Sequence, residues 1–325
     1  MKPVIWIDSA SYKEAISALE KWATLIHPED FINQPWQASL EDADAAIATA
    51  RFCFDTEALQ RGSQLKIIAR LGVGYDNVDV EEATRLGICV TITPDGSTQS
   101  VAEHTIALMM ALCRKLREAD ECVRQGNWNR RQQLLGPDLS SLTLGIVGLG
   151  RIGSRVAYIA ASGLGMRVLA YDPYLSFDTI CNCQAEPCST LIDLLEQSDV
   201  VSLHVPGNDE TRHMLCSKTL AHMKTGSKLI NTARGMVIAE SDLIEVIQSG
   251  QLSGAALDVF ETEPPQKSSP LMQMPEVILS PHSAGISIDS LYRIGMKAAE
   301  QVRQLLSGEQ PDNLVNPLVW KDRRR

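Results

Sequence analysis

The sequence predicts an α/β protein built from two doubly wound parallel-sheet domains. Three observations carry this reading. Short β-branched runs alternate with helical patterns from end to end, the order that gives parallel strands joined by crossover helices. The chain has 325 residues, which at ~150 residues per domain is room for two. Two sets of such runs are separated by the turn cluster Pro94-Asp95-Gly96-Ser97 and a long helical stretch,.

The first set of strands is Val4–Ile7, Ala45–Ala48, Leu65–Ala69 and Ile88–Ile92. Helical patterns lie between them, at Tyr12–Trp22 and at Val80–Leu86, the second stopped by Gly87. After the turn cluster, Val101, Thr105, Leu108, Leu112 and Leu116 recur at three- and four-residue steps, one face of a helix expected to run on to Gly126,. Gly136-Pro137-Asp138 breaks the chain again. The second set of strands is Leu142–Val147, Arg167–Tyr171, Val200–Leu203, Leu229–Asn231, Ala255–Leu257 and Val277–Leu279, with a helix at Ser241–Gln248. A last helix, Ile288–Leu306, follows once this unit is complete and is expected to return to the first. The domains expected are therefore 1–98 completed by 288–325, and 99–287.

Composition narrows the class. At 44% hydrophobic and 22% charged, the chain is neither disordered, collagenous nor a coiled coil. A net charge of −10 argues against nucleic acid and anionic membrane as partners, since both need a positive face. The one basic cluster, Lys321, Asp322, Arg323, Arg324 and Arg325, is expected to be a solvated tail. No apolar run reaches the ~18 residues of a membrane span, and Met1–Asp8 reads as a strand rather than a secretory leader. The eight cysteines sit mostly in apolar segments, the pattern of reduced thiols in a cytoplasmic protein. Cys181, Cys183 and Cys188 cluster, but C-x-C spacing without a nearby histidine is not a zinc pattern, and no metal is expected.

The segment Leu144-Gly145-Ile146-Val147-Gly148-Leu149-Gly150-Arg151-Ile152-Gly153 ends an apolar strand and opens a helix, the context in which G-x-G-x-x-G signals dinucleotide binding by a Rossmann-type domain. Gly148 makes the tight turn, Gly150 lets backbone approach a pyrophosphate, and Gly153 lets helix and strand pack closely. Arg151 and Ile152 sit in the loop facing the pyrophosphate. Asp172 ends the next strand, where a carboxylate accepts from the ribose hydroxyls and repels a 2′-phosphate, so NAD is the expected cofactor. His204 and Pro206, ending a later strand, are candidates for a wall of the adenine pocket. His104, at the start of the long helix, is expected to stand behind the residues that touch ligand.

Three polar groups each follow an apolar strand: Asn231-Thr232-Ala233-Arg234-Gly235, then Asp258 to Pro265, then Pro281-His282-Ser283-Ala284-Gly285. Ligands bind outside the carboxyl ends of strands in open α/β sheets. Arg234, Glu263 and His282 are thereby expected to converge beside the nicotinamide, with Thr232 and Ala233 as candidates on the cofactor.

These motifs, N-T-A-R-G, G-A-A-L-D-V-F-E-T-E-P-P and P-H-S-A-G, together with G-V-G-Y-D-N-V-D at 72–79, resemble the NAD-dependent D-2-hydroxyacid dehydrogenases over residues 45–317, and within them the phosphoglycerate dehydrogenase branch. The resemblance implies a Rossmann-type cofactor domain, a smaller flavodoxin-like substrate domain, a cleft between them and a homodimer built on the cofactor domain. It implies hydride transfer between NAD(H) and a small D-2-hydroxyacid or 2-keto acid. It assigns Arg234 to the substrate carboxylate and carbonyl, His282 to acid/base work, Glu263 to the orientation and protonation of His282, Asp258 to the nicotinamide carboxamide, and the backbone of Gly72, Val73 and Gly74 to the substrate carboxylate.

The sequence also departs from that branch. An Arg-Ser-x-Thr element is usual after its second strand, where the arginine holds the phosphate end; here Thr49 stands at that position and Arg51 follows two residues later. Glyoxylate- and hydroxypyruvate-like substrates are therefore expected alongside the phosphoglycerate type. Two alternatives share the fold: an NAD-sensing corepressor-like binding protein without significant turnover, and a formate dehydrogenase, whose histidine pairs with Gln where this chain has Glu263.

Overall fold

The structure is a computed structural model, and residues 2–31 and 34–324 are described. Met1 of the expected first segment and Arg325 of the basic tail lie outside them. The chain divides into two compact units, Met1–Ser97 with Ile286–Arg325, and Thr98–Gly285.

The first unit holds a parallel sheet of β1 (Val4–Ile7), β2 (Thr24–Ile26), β3 (Ala45–Ala48), β4 (Ile67–Arg70) and β5 (Cys89–Thr91), in the order β2-β1-β3-β4-β5. That is the flavodoxin-like order. Side chains alternate between two cores, as a period of two requires. Ile5, Ile7, Ile47 and Ile67 pack under the helix Ile288–Leu306 through Ile294, Ala298 and Val302. Trp6, Ala46 and Ile68 pack on the other face with Phe54 and Leu59. The sequence reading did not anticipate β2. It is a three-residue edge strand with an exposed Thr24 and two half-buried residues, too short to show a period. The basic tail is not simply solvated: the Arg324 guanidinium donates to the carbonyls of Gly62 (2.6 Å) and Leu65 (3.0 Å), and Arg323 stacks over Trp320.

The second unit holds β6 (Thr143–Val147), β7 (Arg167–Tyr171), β8 (Glu186–Pro187), β9 (Val200–Leu203), β10 (Ser227–Asn231), β11 (Leu252–Leu257) and β12 (Val277–Leu279), all parallel, in the order β12-β11-β10-β9-β6-β7-β8. From β6 the order runs one way through β7 and the other way through β9, so the strand order reverses at β6. Ligands of open α/β sheets bind at such a switch point. The register pairs Val147 with Tyr171 and Leu203, Leu203 with Asn231, Asn231 with Leu257, and Leu257 with Leu279. The next residue of each strand therefore stands on one edge: Gly148, Asp172, His204, Thr232, Asp258 and Ser280. The unanticipated β8 is an edge strand of two residues, one of them Pro187, a residue that sheets confine to edges.

One helix is corrected. The stretch expected to run unbroken to Gly126 is two helices, Thr98–Cys113 and Leu116–Arg124, with Lys115 left-handed at φ 49° between them. Leu108 and Leu112 are buried, whereas Leu116 is 61% exposed, so the apolar face ends one turn earlier than its period suggests.

Candidate active site

The glycine loop after β6 has the conformation its residues foretell. Gly148 lies at φ +88°, and a Cβ there would come within 2.8 Å of the His204 carbonyl. A Cβ on Gly153 would lie 2.1 Å from the Gly148 carbonyl, so the helix Arg151–Tyr158 can close on the loop only through glycine. Gly150, at the helix N-cap, has no atom within 4 Å of its would-be Cβ. The backbone is thus bare where a pyrophosphate needs room, at the positive end of a helix. Ile152 packs into the core behind. Asp172 ends β7 with its carboxylate fixed by two N–H donors, Leu149 to Oδ2 (2.9 Å) and Tyr174 to Oδ1 (3.0 Å). Each oxygen keeps lone-pair capacity for a ribose hydroxyl. These residues fit a bound NAD.

His204 pairs with the Ser202 hydroxyl at 2.9 Å, and desolvation of its ring draws the pKa down to about 3. Its ring is neutral near pH 7. Pro206 is fixed by the Thr211 hydroxyl, which donates to its carbonyl at 2.6 Å.

After β10 the chain turns on Asn231, whose Oδ1 accepts from the Ala233 N–H and whose Nδ2 donates to the Arg234 carbonyl. Thr232 bonds to Thr105 at 2.8 Å. Gly235 is required by contact: a Cβ there would lie 1.8 Å from the Phe260 carbonyl. That close approach puts the Arg234 turn against the segment that carries Glu263.

Glu263 Oε1 accepts from the Phe260 N–H (3.0 Å), and Oε2 from Nδ1 of His282 (2.7 Å). The Glu263 hydrogen bond raises the pKa of His282, against the opposing pull of burial, while the Arg234 charge also acts to lower it. Burial opposes ionisation of Glu263, yet the bonds from His282 and Phe260, with the charges of His282 and Arg234, hold its carboxyl below the usual range. The contact favours the ion-paired form of the two groups, with the Arg234 charge acting on both.

His282 is left-handed at φ 51°, a conformation costing ~1–3 kcal/mol for such a residue. Asp258, 1% exposed, holds it there. Its carbonyl accepts the His282 N–H (2.7 Å), and its carboxylate accepts Ser283 N–H (2.9 Å), Ala284 N–H (2.8 Å) and the Ser280 hydroxyl (2.6 Å). His104 Nε2 reaches the same Ser280 hydroxyl at 3.1 Å. Ser280 went unremarked in the sequence, although its place between a strand and Pro281-His282 marks it.

In the first unit, Gly72 is at φ +134° after β4. Its N–H is already taken by the Thr93 hydroxyl (2.8 Å), and its carbonyl accepts the Thr93 N–H (2.8 Å). Among the described residues no hydrogen bond takes the N–H of Val73 or Gly74, so the loop's open donors are these two. Thr93, buried and unflagged by the sequence, is the clamp that fixes the loop. Thr49, after β3, gives both its N–H (2.8 Å) and its hydroxyl (2.6 Å) to Asp8. Arg51 pairs with Glu29 at 2.7 Å and lies over the Phe52 ring.

All eight cysteines are unpaired. Among the described residues, no group of three or more His, Cys, Asp or Glu side chains is placed to hold a metal, and no helix is long and apolar enough to cross a membrane.

Residues 106–284 match the family described as D-isomer specific 2-hydroxyacid dehydrogenase, NAD binding domain. The chain is 39% identical to a glyoxylate reductase of Korarchaeum cryptofilum, covering 99% of this chain and 98% of that protein. It is 42% identical to a D-3-phosphoglycerate dehydrogenase of Synechocystis over 84% of this chain but 49% of that longer protein. The structure of a D-lactate dehydrogenase from Aquifex aeolicus, complexed with NAD and lactic acid, superposes with a TM-score of 0.85 at 32% identity, covering 96% of this chain and 99% of that one.

Proposed function

Since the chain belongs to the D-isomer specific 2-hydroxyacid dehydrogenase family and is an NAD-dependent oxidoreductase of 2-hydroxy and 2-keto acids, we propose that it acts on a small 2-keto acid without a phosphate group, of the glyoxylate or hydroxypyruvate type. The binding-protein alternative loses its support with that membership.

The observation that carries the chemistry is the His282–Glu263 pair, on which the Arg234 charge acts. With Nδ1 committed to Glu263, Nε2 is the nitrogen that exchanges a proton with the substrate C2 oxygen. Arg234 grips carboxylate and carbonyl oxygen with its planar fork. The Val73 and Gly74 N–H groups bind the carboxylate. Asp258 has three of its ~four lone-pair sites filled, and the fourth accepts from the nicotinamide carboxamide. Gly148, Gly150, Arg151 and Gly153 hold the pyrophosphate, Asp172 the ribose, and His204 and Pro206 wall the adenine. NAD, when bound, supplies or accepts the hydride. In reduction, protonated His282 gives its proton to the carbonyl oxygen as the hydride reaches carbon; in oxidation neutral His282 takes the hydroxyl proton.

Thr49 supports a substrate lacking phosphate. A threonine committed to Asp8 offers no cation, and Arg51 is drawn to Glu29 and Phe52. The fully spanned glyoxylate reductase relative points the same way. The exposed apolar side chains of the 98–135 region support a homodimer, and the unpaired thiols a reducing, cytoplasmic setting,.

The test is NADH oxidation with a panel of glyoxylate, hydroxypyruvate, pyruvate and 3-phosphohydroxypyruvate. Turnover of the first two, lost by ~10²–10⁴ in His282→Ala with NADH still bound, is the expected result. A preference for the phosphorylated acid, or full turnover in His282→Ala, overturns the proposal.

A further inference from the structure

Two polar side chains near the reacting groups take no part in the mechanism so far: His104, at the start of the helix Thr98–Cys113, and Ser280, one residue beyond β12. Both converge on Asp258. The Ser280 hydroxyl donates to Asp258 Oδ1 at 2.6 Å, and His104 Nε2 lies 3.1 Å from that hydroxyl and 3.7 Å from Oδ1. A hydroxyl that gives its one proton to a carboxylate has only lone pairs left for a second partner, so Nε2 of His104 is the donor to Ser280. The proton order then runs from His104 to Ser280 to Asp258.

Asp258 is where this order meets the reaction. Its carbonyl and carboxylate together take the N–H groups of His282, Ser283 and Ala284. Three consecutive N–H groups pointing at one residue are compatible with the left-handed turn at His282 and not with an extended strand. The turn in turn sets where Nε2 of His282 points. The carboxylate can serve two N–H groups only while its rotamer is held, and the side-chain bond that holds Oδ1 comes from Ser280.

We infer that His104 and Ser280 are positioning residues for the acid/base histidine, acting through the carboxylate of Asp258 on the backbone of residues 282–284. The inference rests on His282 being the acid/base group. Neither side chain is bonded to the Glu263–His282 pair, and the Asp258 charge that helps to raise the His282 pKa stays in place without them. Their loss therefore lowers the rate of proton transfer without moving the pH at which His282 titrates.

The test is a double-mutant cycle on the full-length enzyme, with kcat for the preferred keto acid, the dissociation constant for NADH by fluorescence, and the pH–rate profile. Ser280→Ala and His104→Ala are each expected to lower kcat about tenfold, with NADH affinity within about twofold of wild type. Members of one network are non-additive, so the double variant should lose no more than the larger single loss. Ser280→Thr, which keeps the hydroxyl, should restore kcat, and the reductive limb should stay at the wild-type pH in every variant. Wild-type kcat in both single variants, losses that multiply in the double variant, or a displaced limb would each overturn the inference. Should Ser280→Ala fail to fold, His104→Ala against His104→Gln carries the same comparison. Full activity in His282→Ala is a different result and removes the acid/base reading instead.

Discussion

Nδ1 of His282 lies 2.7 Å from Oε2 of Glu263, and this contact is the largest influence favouring the protonated ring. Because the bond favours imidazolium, the pKa of His282 is raised above 6.5. Reduction needs that proton, so kcat/KM for the keto acid should hold at low pH and fall as pH rises through the raised pKa. Oxidation needs the neutral ring and should rise across the same range. Glu263→Gln removes the charge and keeps the shape. The reductive limb should move to lower pH, with the KM for keto acid little changed because Arg234 is untouched. Profiles in both directions check this, and an unmoved limb would show that Glu263 does not tune His282.

In the proposed site the cofactor choice rests on Asp172. Its two oxygens are already oriented by Leu149 and Tyr174 N–H groups, and with the ribose bound there as proposed, a 2′-phosphate would crowd the carboxylate. Wild type should prefer NAD, and Asp172→Ser should erode the preference by at least tenfold, chiefly through weaker NAD binding. Titration of both reduced nucleotides by fluorescence measures it. Equal affinity of the wild type for NADP would contradict the role.

The carboxyl edge of the second sheet was legible because each of its residues follows an apolar run of fixed register. Gly148, Asp172, Thr232 and Asp258 needed only the strand ends to be right. The terminal-strand and interior devices were not legible. Nothing local distinguishes Thr93 from a surface hydroxyl, and the place of Ser280 between a strand and Pro281-His282 marks its position without its role; both roles arise from partners such as Gly72 and His104, distant in sequence, that only the fold supplies. The helix break at Lys115 was hidden for a similar reason: Leu116 continues the period on paper, and only packing shows that the core has ended. Arg324 misled in the other direction, since a basic tail offers no hint of the carbonyls at Gly62 and Leu65 that bind it.

Acid sensitivity should trace in part to His204. Its folded pKa of about 3 lies below the ordinary 6.5. Below pH 6.5 the unfolded chain binds a proton that the folded chain refuses, so stability is whole above about 6.5 and is lost progressively as pH falls toward 3. His204→Gln keeps a partner for Ser202 without a titrating ring. The variant should be less stable than wild type at pH 8, from imperfect packing, but its melting temperature should fall less steeply between pH 6.5 and 4.5. Parallel slopes for the two proteins would remove His204 from the account.

The helices Thr98–Cys113 and Leu116–Arg124 and the segment after them leave Leu116, Val123, Trp128 and Leu135 exposed, Trp128 at 62% and Leu135 at 77%. Monomeric proteins rarely leave apolar groups of this size together in water. A self-complementary contact between two copies would cover them, and a stable interface of ordinary size removes ~800 Å² per partner, of which these side chains would form the apolar part. Light scattering at micromolar concentration should give twice the chain mass. Because aromatic anchors dominate such contacts, Trp128→Arg should shift the protein toward monomer, while Tyr174→Arg, an exposed aromatic outside this region, should not. A wild-type monomer, or equal effects of the two substitutions, would assign the exposed residues no role in assembly.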